Sequence, residues 1–286
     1  MPTATVNGTT LDYIEQGTGD PVVFVHGGAA DQRVWDKQVD AFGATHRAIF
    51  VSCRGSWPND KPREGEEISL DNHVDDLAAF IRLIDDGPVH LVGHSSPGGF
   101  GGLLIAHRYP RLLRSVVLCE PAAFAVLGLT FPPGPSQVFG LLLRDPRTAI
   151  NMMKFGATVM RPAFKAMERG DDELAIRTFG SGNGMSEEDL DRFVPMMLHN
   201  LPAMKAQLEA GFPPLTADDV RSIHVPTLLV TGTESPRVLH AIVGCLEKWL
   251  QDVQRLDIEG AHHGMFDSHP DVFNRGVLEF IASRKA

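Results

Sequence analysis

Three cysteines in 286 residues, Cys53, Cys119 and Cys245, are odd in number and far apart, so no disulfide framework holds this chain. Cys119 falls in an apolar, strand-like run and reads as a small buried hydrophobe rather than a reactive thiol. Basic charge is also short: 26 Lys and Arg stand against 36 Asp and Glu, a formal net charge of −10. That excludes nucleic acid as a partner, because neutralising phosphates needs a basic surface. No apolar run is long enough to span a bilayer, so no membrane partner is expected. Met1-Pro2-Thr3-Ala4-Thr5 lacks the basic-then-apolar order of a secretory leader. Internal repeats and low-complexity tracts are missing as well. The expectation is a soluble protein of a reducing cytoplasm. What is present, 43% hydrophobic and 22% charged residues, is ordinary globular composition on a chain long enough to bury a full core.

Asn7-Gly8 between Thr3–Val6 and Leu11–Glu15 predicts a β-hairpin. The continuous apolar run Pro21–Val25 predicts a strand covered on both faces, ending in the glycine-rich His26-Gly27-Gly28-Ala29-Ala30. A helix is expected over Gln32–Phe42, a strand over Arg47–Val51, a surface loop over Ser52–Glu67 and a helix over Asp71–Ile84, where Val74, Leu77, Phe80, Ile81 and Ile84 keep helical period. Val89–Gly93 is the next strand, with a helix from Gly98 to His107 and a strand at Ser115–Cys119. The alternation implies parallel βαβ units. It stops after Glu120-Pro121. Roughly 100 residues of helical periodicity follow, framed by Pro132-Pro133-Gly134-Pro135 and Phe212-Pro213-Pro214. Strand–helix order resumes with Thr227–Thr231, Val238–Leu250, Val253–Ile258 and Val272–Ile281. The expected architecture is an α/β core of residues 1–121 and 223–286 with a helical cap of residues 122–222 inserted between two neighbouring strands.

One stretch organises the chemistry. Val89-His90-Leu91-Val92-Gly93-His94-Ser95-Ser96-Pro97-Gly98-Gly99 is a buried strand, a turn carrying a serine, and a helix. That is the setting in which Gly-x-Ser-x-Gly acts as a nucleophile elbow. The second glycine is missing, replaced by Pro97, so strand and helix are expected to pack more loosely or in a shifted register. Ser96 is the rival nucleophile, since Gly98 restores the glycine in a shifted frame. That frame puts His94 where a small residue is needed, which favours Ser95. A carboxylate, Glu120, ends the following strand, and His262-His263 lie in the loop after the last strand. The carboxyl ends of parallel strands converge on one edge of the sheet, where binding crevices form.

The order Ser…Glu…His, with Val25-His26-Gly27-Gly28, Gly93-His94-Ser95, Cys119-Glu120-Pro121, Pro226–Val230 and Gly260-Ala261-His262-His263, resembles the α/β-hydrolase superfamily, specifically its capped, esterase-like members. The resemblance spans nearly the whole chain and implies a mostly parallel, doubly wound sheet and a serine hydrolase. It implies Ser95 as nucleophile and His263 as general base, since the family's histidine follows a Gly-Ala-small stretch. It implies an oxyanion hole from the backbone N–H groups of Ser96 and Gly28, with Ala29 as the alternative to Gly28. The acid departs from the family pattern. Gly232-Thr233-Glu234-Ser235-Pro236 has a serine where the family carries aspartate. Glu120, one strand earlier as in some relatives, is favoured, with Glu234 as the alternative acid. Ser52-Cys53-Arg54-Gly55 likewise replaces the family's Asp-x-x-Gly loop.

The expected activity is cleavage of a carboxylic ester, or a lactone or related acyl bond, through an acyl-enzyme. A carbon–carbon bond hydrolase, a perhydrolase on the same triad, and a non-catalytic ligand-binding relative are the alternatives. The resemblance disfavours a dehalogenase or epoxide hydrolase, since those relatives carry aspartate at the elbow. No cofactor is expected and no metal, because His262, His263, Asp267 and His269 match no familiar ligand spacing. Met152, Met153, Phe155, Met160, Phe164, Met196, Met197, Leu198 and Met204 are candidate pocket or cap-core residues. They point to a small-molecule, hydrophobic, ester-like substrate.

Overall fold

In the computed structural model, which describes residues 1–63, 65–84 and 87–284, Asn7 and Gly8 both take positive φ (45° and 76°). They close a tight hairpin between β1 (Thr3–Val6) and β2 (Thr9–Gln16). The second strand is longer than its apolar residues suggest. Its start pairs with β1, and its far end, Tyr13–Gln16, pairs antiparallel with β4 (Arg47–Val51). Beyond this hairpin every pairing between strands among the described residues is parallel. β3 (Pro21–Val25) lies between β4 and β5 (Val89–His94), followed by β6 (Leu113–Cys119), β7 (Thr227–Gly232) and β8 (Val253–Ile258). The order across the sheet is β1-β2-β4-β3-β5-β6-β7-β8. β6 begins two residues earlier than its pattern suggests because its register against β5 shifts at Val89/His90.

Both faces of the sheet are covered, which is why β3 has no exposed residue. Val23 and Val25 pack into one core layer with Leu70, Val74, Leu77, Phe80 and Phe100. Val22 and Phe24 pack into the other with Trp35, Phe42, Phe266 and Phe273. The expected helix over Gln32–Phe42 divides into a three-ten turn, Gln32–Trp35, and α1 (Asp36–Gly43). Asp31 starts the turn by accepting from the Arg33 amide. The helices α2 (Leu70–Ile84) and α3 (Gly98–Arg108) follow.

Between β6 and β7 the chain is helical: α4 (Pro135–Arg144), α5 (Pro146–Phe155), a π-helical turn at Gly156–Met160, α6 (Arg161–Glu168), α7 (Asp172–Gly182), α8 (Glu187–Ala210) and α9 (Ala217–Arg221). The core then closes with α10 (Arg237–Trp249), the short α11 (Met265–Ser268) and α12 (Pro270–Ala282). Among the described residues no helix is long and apolar enough to cross a membrane.

Of the two arrangements expected at the elbow, looser or shifted packing, the second is found. Pro97 does not loosen the strand–helix packing; it shifts the close approach along the chain. The Ser96–Pro97 peptide is cis, and Pro97 stands before the helix rather than in its first turn. A Cβ on Gly93 would lie 2.1 Å from the Gly98 carbonyl oxygen, and one on Gly98 would lie 2.1 Å from that of Val25. Gly98 therefore does the work of the missing elbow glycine. Neither contact is with a flexible side chain, so it cannot be relieved without moving backbone. We expect Gly98→Ala to destabilise the protein by about 2–4 kcal/mol. That is a fall in melting temperature of roughly 4–16 °C for a chain of this size, and an unchanged thermal melt would contradict this reading of the packing.

Candidate active site

The carboxyl ends of β3, β5 and β6 and the loops after β7 and β8 deliver the candidate residues to one edge of the sheet. Four described non-glycine residues have positive φ. Asn7 is in the hairpin; the other three, Ala29 (52°), Ser95 (50°) and Glu120 (43°), all belong to this edge. Left-handed backbone at non-glycine residues costs on the order of 1–3 kcal/mol each and persists where the surroundings impose it. At Ser95 the turn is held by its own backbone. The Ser95 amide donates to the Cys119 carbonyl at 2.9 Å, and the Ser95 carbonyl accepts from Phe100 (2.8 Å) and Ala122 (3.1 Å). The side chain caps no helix and opens onto a cavity.

Glu120 is fully buried. One carboxylate oxygen, Oε2, lies 2.6 Å from His263 Nδ1. The other accepts from the Thr231 hydroxyl at 2.6 Å and from the Gly232 amide at 3.0 Å. Burial alone would raise its pKa. The His263 hydrogen bond and charge, with the Ser235 and Thr231 hydroxyls, outweigh that and leave it below the usual carboxylate range. Ser235, buried beside the carboxylate in the family's aspartate position, influences it without a hydrogen bond of ordinary geometry. Glu234, the alternative acid, points elsewhere. Its side chain is exposed on the turn after β7, and its amide donates to the Ala261 carbonyl at 2.9 Å. With Nδ1 facing Glu120, the Nε2 of His263 is the nitrogen left for substrate chemistry. Ser95 and His263 both line the cavity. The Ser95 hydroxyl has no hydrogen-bond partner among the described residues, and such contacts are commonly long in the absence of substrate.

His94, unassigned by the sequence reading, braces the histidine loop. Its Nε2–H donates to the His263 carbonyl at 3.0 Å, and the two rings lie 4.4 Å apart. Burial, then the neighbouring His263, holds its pKa well below the usual histidine value, which fits this neutral donor role. A Cβ on Gly27 would lie 2.6 Å from His94 Nδ1, a reason for glycine at that position. His26 ties the opposite loop: Nδ1–H donates to the Gly27 carbonyl at 2.7 Å, and Nε2 accepts from the Cys53 amide at 3.0 Å. An isolated antiparallel bridge then joins Gly27 to Pro97 and brings Gly28, Ala29 and Ser96 together at the cavity wall. Where the family has Asp-x-x-Gly, Ser52 is buried and accepts from the Gln32 amide at 3.2 Å.

The cavity measures about 180 Å³. Of the pocket or cap-core candidates, Phe155, Met160, Phe164, Met196, Met197 and Met204 line it, joined by Phe124, Phe131, Met167, Phe179, Met185, Phe193 and Phe212. Met152 packs in the core and Met153 is 43% exposed, so neither belongs to the lining. Leu198 packs among the inserted helices. One face of α8 fastens the insertion over the site. Arg192 pairs with Asp267, Asn200 Nδ2 donates to Asp31 Oδ2 at 2.7 Å, and Gln207 Nε2 donates to Ser96 Oγ at 2.6 Å. Their spacing of eight and seven residues, about two helical turns each, puts all three on one face. That polar spacing was the available signal for the latch in the sequence. Among the described residues no group of three or more His, Cys, Asp or Glu side chains is arranged to hold a metal. His262 instead accepts from the Gly264 amide at 3.0 Å, and Asp267 is engaged by Arg192 and Lys37.

The profile described as "Alpha/beta hydrolase family" matches residues 22–275. A non-heme chloroperoxidase of Streptomyces lividans is 28% identical over 98% of this chain and 98% of its own. A 2-(acetamidomethylene)succinate hydrolase of Mesorhizobium japonicum is 27% identical over 95% of this chain and 91% of its own. Among solved structures, the enol-lactonase from Burkholderia xenovorans superposes with a TM-score of 0.73 at 18% identity, covering 98% of this chain and 100% of its own. The chain belongs to the α/β hydrolase family.

The lowered pKa of Glu120 has a consequence for stability. Between its folded value and an unfolded value of about 4.3, the unfolded chain binds more protons. Stability therefore rises with pH through that window, is fully present above it, and is lost as pH falls through the folded value. Melting temperatures followed from pH 7 to pH 3 should fall less steeply for Glu120→Gln than for the wild type. Parallel acid limbs would mean that the carboxylate is not stabilised by its partners.

Proposed function

We propose that this member of the α/β hydrolase family is a serine hydrolase that cleaves a carboxylic ester, or a lactone or related acyl bond, with Ser95, His263 and Glu120 as its triad. The observation that carries the reading is the 2.6 Å contact between His263 Nδ1 and the buried Glu120 carboxylate. It lies beside a serine held at left-handed φ on a strand-to-helix turn. In the mechanism, His263 Nε2 takes the Ser95 proton as Oγ attacks the acyl carbon, and Glu120 stabilises the imidazolium that forms. The amides of Ser96 and Gly28 donate to the developing oxyanion. His263 then protonates the departing alkoxide, and a water deprotonated by the same nitrogen releases the acid and restores Ser95. The helices of residues 122–222 act as a cap that walls the acyl chain from water. The aromatic and methionine lining favours a bulky apolar acyl or alcohol group.

A second reading has one observation in its favour, the full-length similarity to a non-heme chloroperoxidase. On the same triad, hydrogen peroxide in place of water would attack the acyl-enzyme, giving a peracid and free Ser95. Adding peroxide to an ester assay separates the two outcomes: peracid accumulates for a perhydrolase, whereas carboxylic acid alone is produced by a hydrolase.

A fluorophosphonate reagent should label the wild type and leave Ser95→Ala unlabelled. Undiminished labelling of that variant would remove Ser95 from the nucleophile role. On p-nitrophenyl esters of increasing chain length, Glu120→Gln is expected to lower kcat by about 10²- to 10⁴-fold. Glu234→Gln, on the exposed turn, is expected to stay within about twofold of wild type; a reversed pattern would transfer the acid role to Glu234.

A further inference from the structure

The polar residues lining the cavity are largely committed. His263 is bound to Glu120, His94 to the His263 carbonyl, and His262 to the Gly264 amide. Asp189 and Asp267 both engage Arg192. Asn183 donates its Nδ2 to the Phe179 carbonyl. Gln207 on α8 and Ser96, the residue after the nucleophile, form a side-chain pair in the lining whose hydrogen-bonding capacity is not used up. Both side chains are more than nine-tenths buried, at 5% and 7% exposure. Their single contact, Gln207 Nε2 to Ser96 Oγ at 2.6 Å, uses one donor and one acceptor. It leaves the Ser96 hydroxyl proton as a donor and the Gln207 carbonyl as an acceptor. With the amide turned over, the Ser96 hydroxyl would donate instead. One donor set, on the Gln207 nitrogen, and one acceptor, on Ser96 Oγ, would again remain. In either orientation the pair offers a donor and an acceptor side by side in a water-poor site.

We propose that Gln207 and Ser96 form a polar subsite for a hydroxyl group on the acyl chain of the substrate, borne on a carbon within two bonds of the scissile carbonyl. The preferred substrates are then esters or lactones of 2- or 3-hydroxy acids with an apolar remainder. The proposal rests on the reading of Ser95 as the acylated residue, because adjacent Cα atoms are about 3.8 Å apart and Ser96 is therefore next to the attacked carbon. A hydroxyl is the group that matches the pair, since it donates and accepts at once and fits both amide orientations. A carboxylate does not match. The pair carries no charge, so it supplies no counter-ion for a buried carboxylate. An unsubstituted acyl chain would leave a buried donor and acceptor unpaired, the situation in which a site discriminates most strongly against the analogue lacking the group.

The test uses the full chain carrying Ser95→Ala, so that esters bind without turnover. Dissociation constants are measured by calorimetry for methyl octanoate, methyl 2-hydroxyoctanoate and methyl 3-hydroxyoctanoate. At least one hydroxy ester should bind about tenfold more tightly than methyl octanoate, and adding Gln207→Met, an apolar side chain of similar length, should remove that preference. Equal binding of all three esters overturns the proposal, and that comparison needs no Gln207 variant to fold. A preference that survives Gln207→Met, in protein with a cooperative thermal melt, also overturns it. Failure of the parent reading looks different: the wild type would resist fluorophosphonate labelling and leave all three esters intact, whatever the binding order.

Discussion

The contact between Glu120 and His263 makes demands on most of the fold. Its carboxylate has no access to water, so every lone pair must find a partner inside the protein. His263 supplies one, and the end of the adjacent strand supplies the others, through Thr231 and Gly232. That arrangement requires β6 and β7 to be parallel neighbours, with β7 running past the end of β6 to Gly232, and the loop after β8 to fold back across β7. Gly232 permits the return: a Cβ there would lie 2.3 Å from the Ala261 carbonyl oxygen. Removing either partner would strand a buried charge or an orphaned imidazole, the costly way to break a buried pair.

The same geometry explains how a serine can stand at position 235. A glutamate reaching from β6 fills the space beside the imidazole, so a carboxylate at the end of β7 would meet a second anion in a dry site. A small hydroxyl in that place adds polarity without charge. Glu120 on β6 and Ser235 after β7 are thus compatible with each other in one buried site. At the elbow, Pro97 removes one glycine and Gly98 takes over the close approach to the Val25 carbonyl.

Above the sheet edge, α8 converts a crevice into a chamber. It carries Pro195 and Pro202 within its span, yet keeps Arg192, Asn200 and Gln207 on the face turned toward the core. Each reaches a different segment of the core, so the insertion is held at three separated points rather than by apolar contact alone. Methionine and phenylalanine fill the face between those points, giving a wall that adapts in shape but offers few polar contacts. The candidate triad therefore sits at the sheet edge and the apolar wall on the inserted helices, with Gln207–Ser96 as a contact between the two.

Much of this was legible in the linear chain because it depends on local forces. The Asn7-Gly8 hairpin, the apolar runs of β3 and β5, the helical period of α2 and the strand–turn–helix around Ser95 are set by neighbours in sequence, and the family order of Ser, Glu and His followed from them. Other features depend on which distant segments become neighbours. The sequence favours Glu120 and keeps Glu234 as the alternative acid; the burial of one against His263 and the exposure of the other follow from strand order. The bracing role of His94 needs a loop from 169 residues away. The α8 latch was present as a polar spacing, but its partners Asp31, Ser96 and Asp267 lie in three segments far apart in the chain. Periodicity reports which face of an element is buried, not what it is buried against. Chain packing supplies that second fact, and with it the pairing of charges and the shape of the cavity.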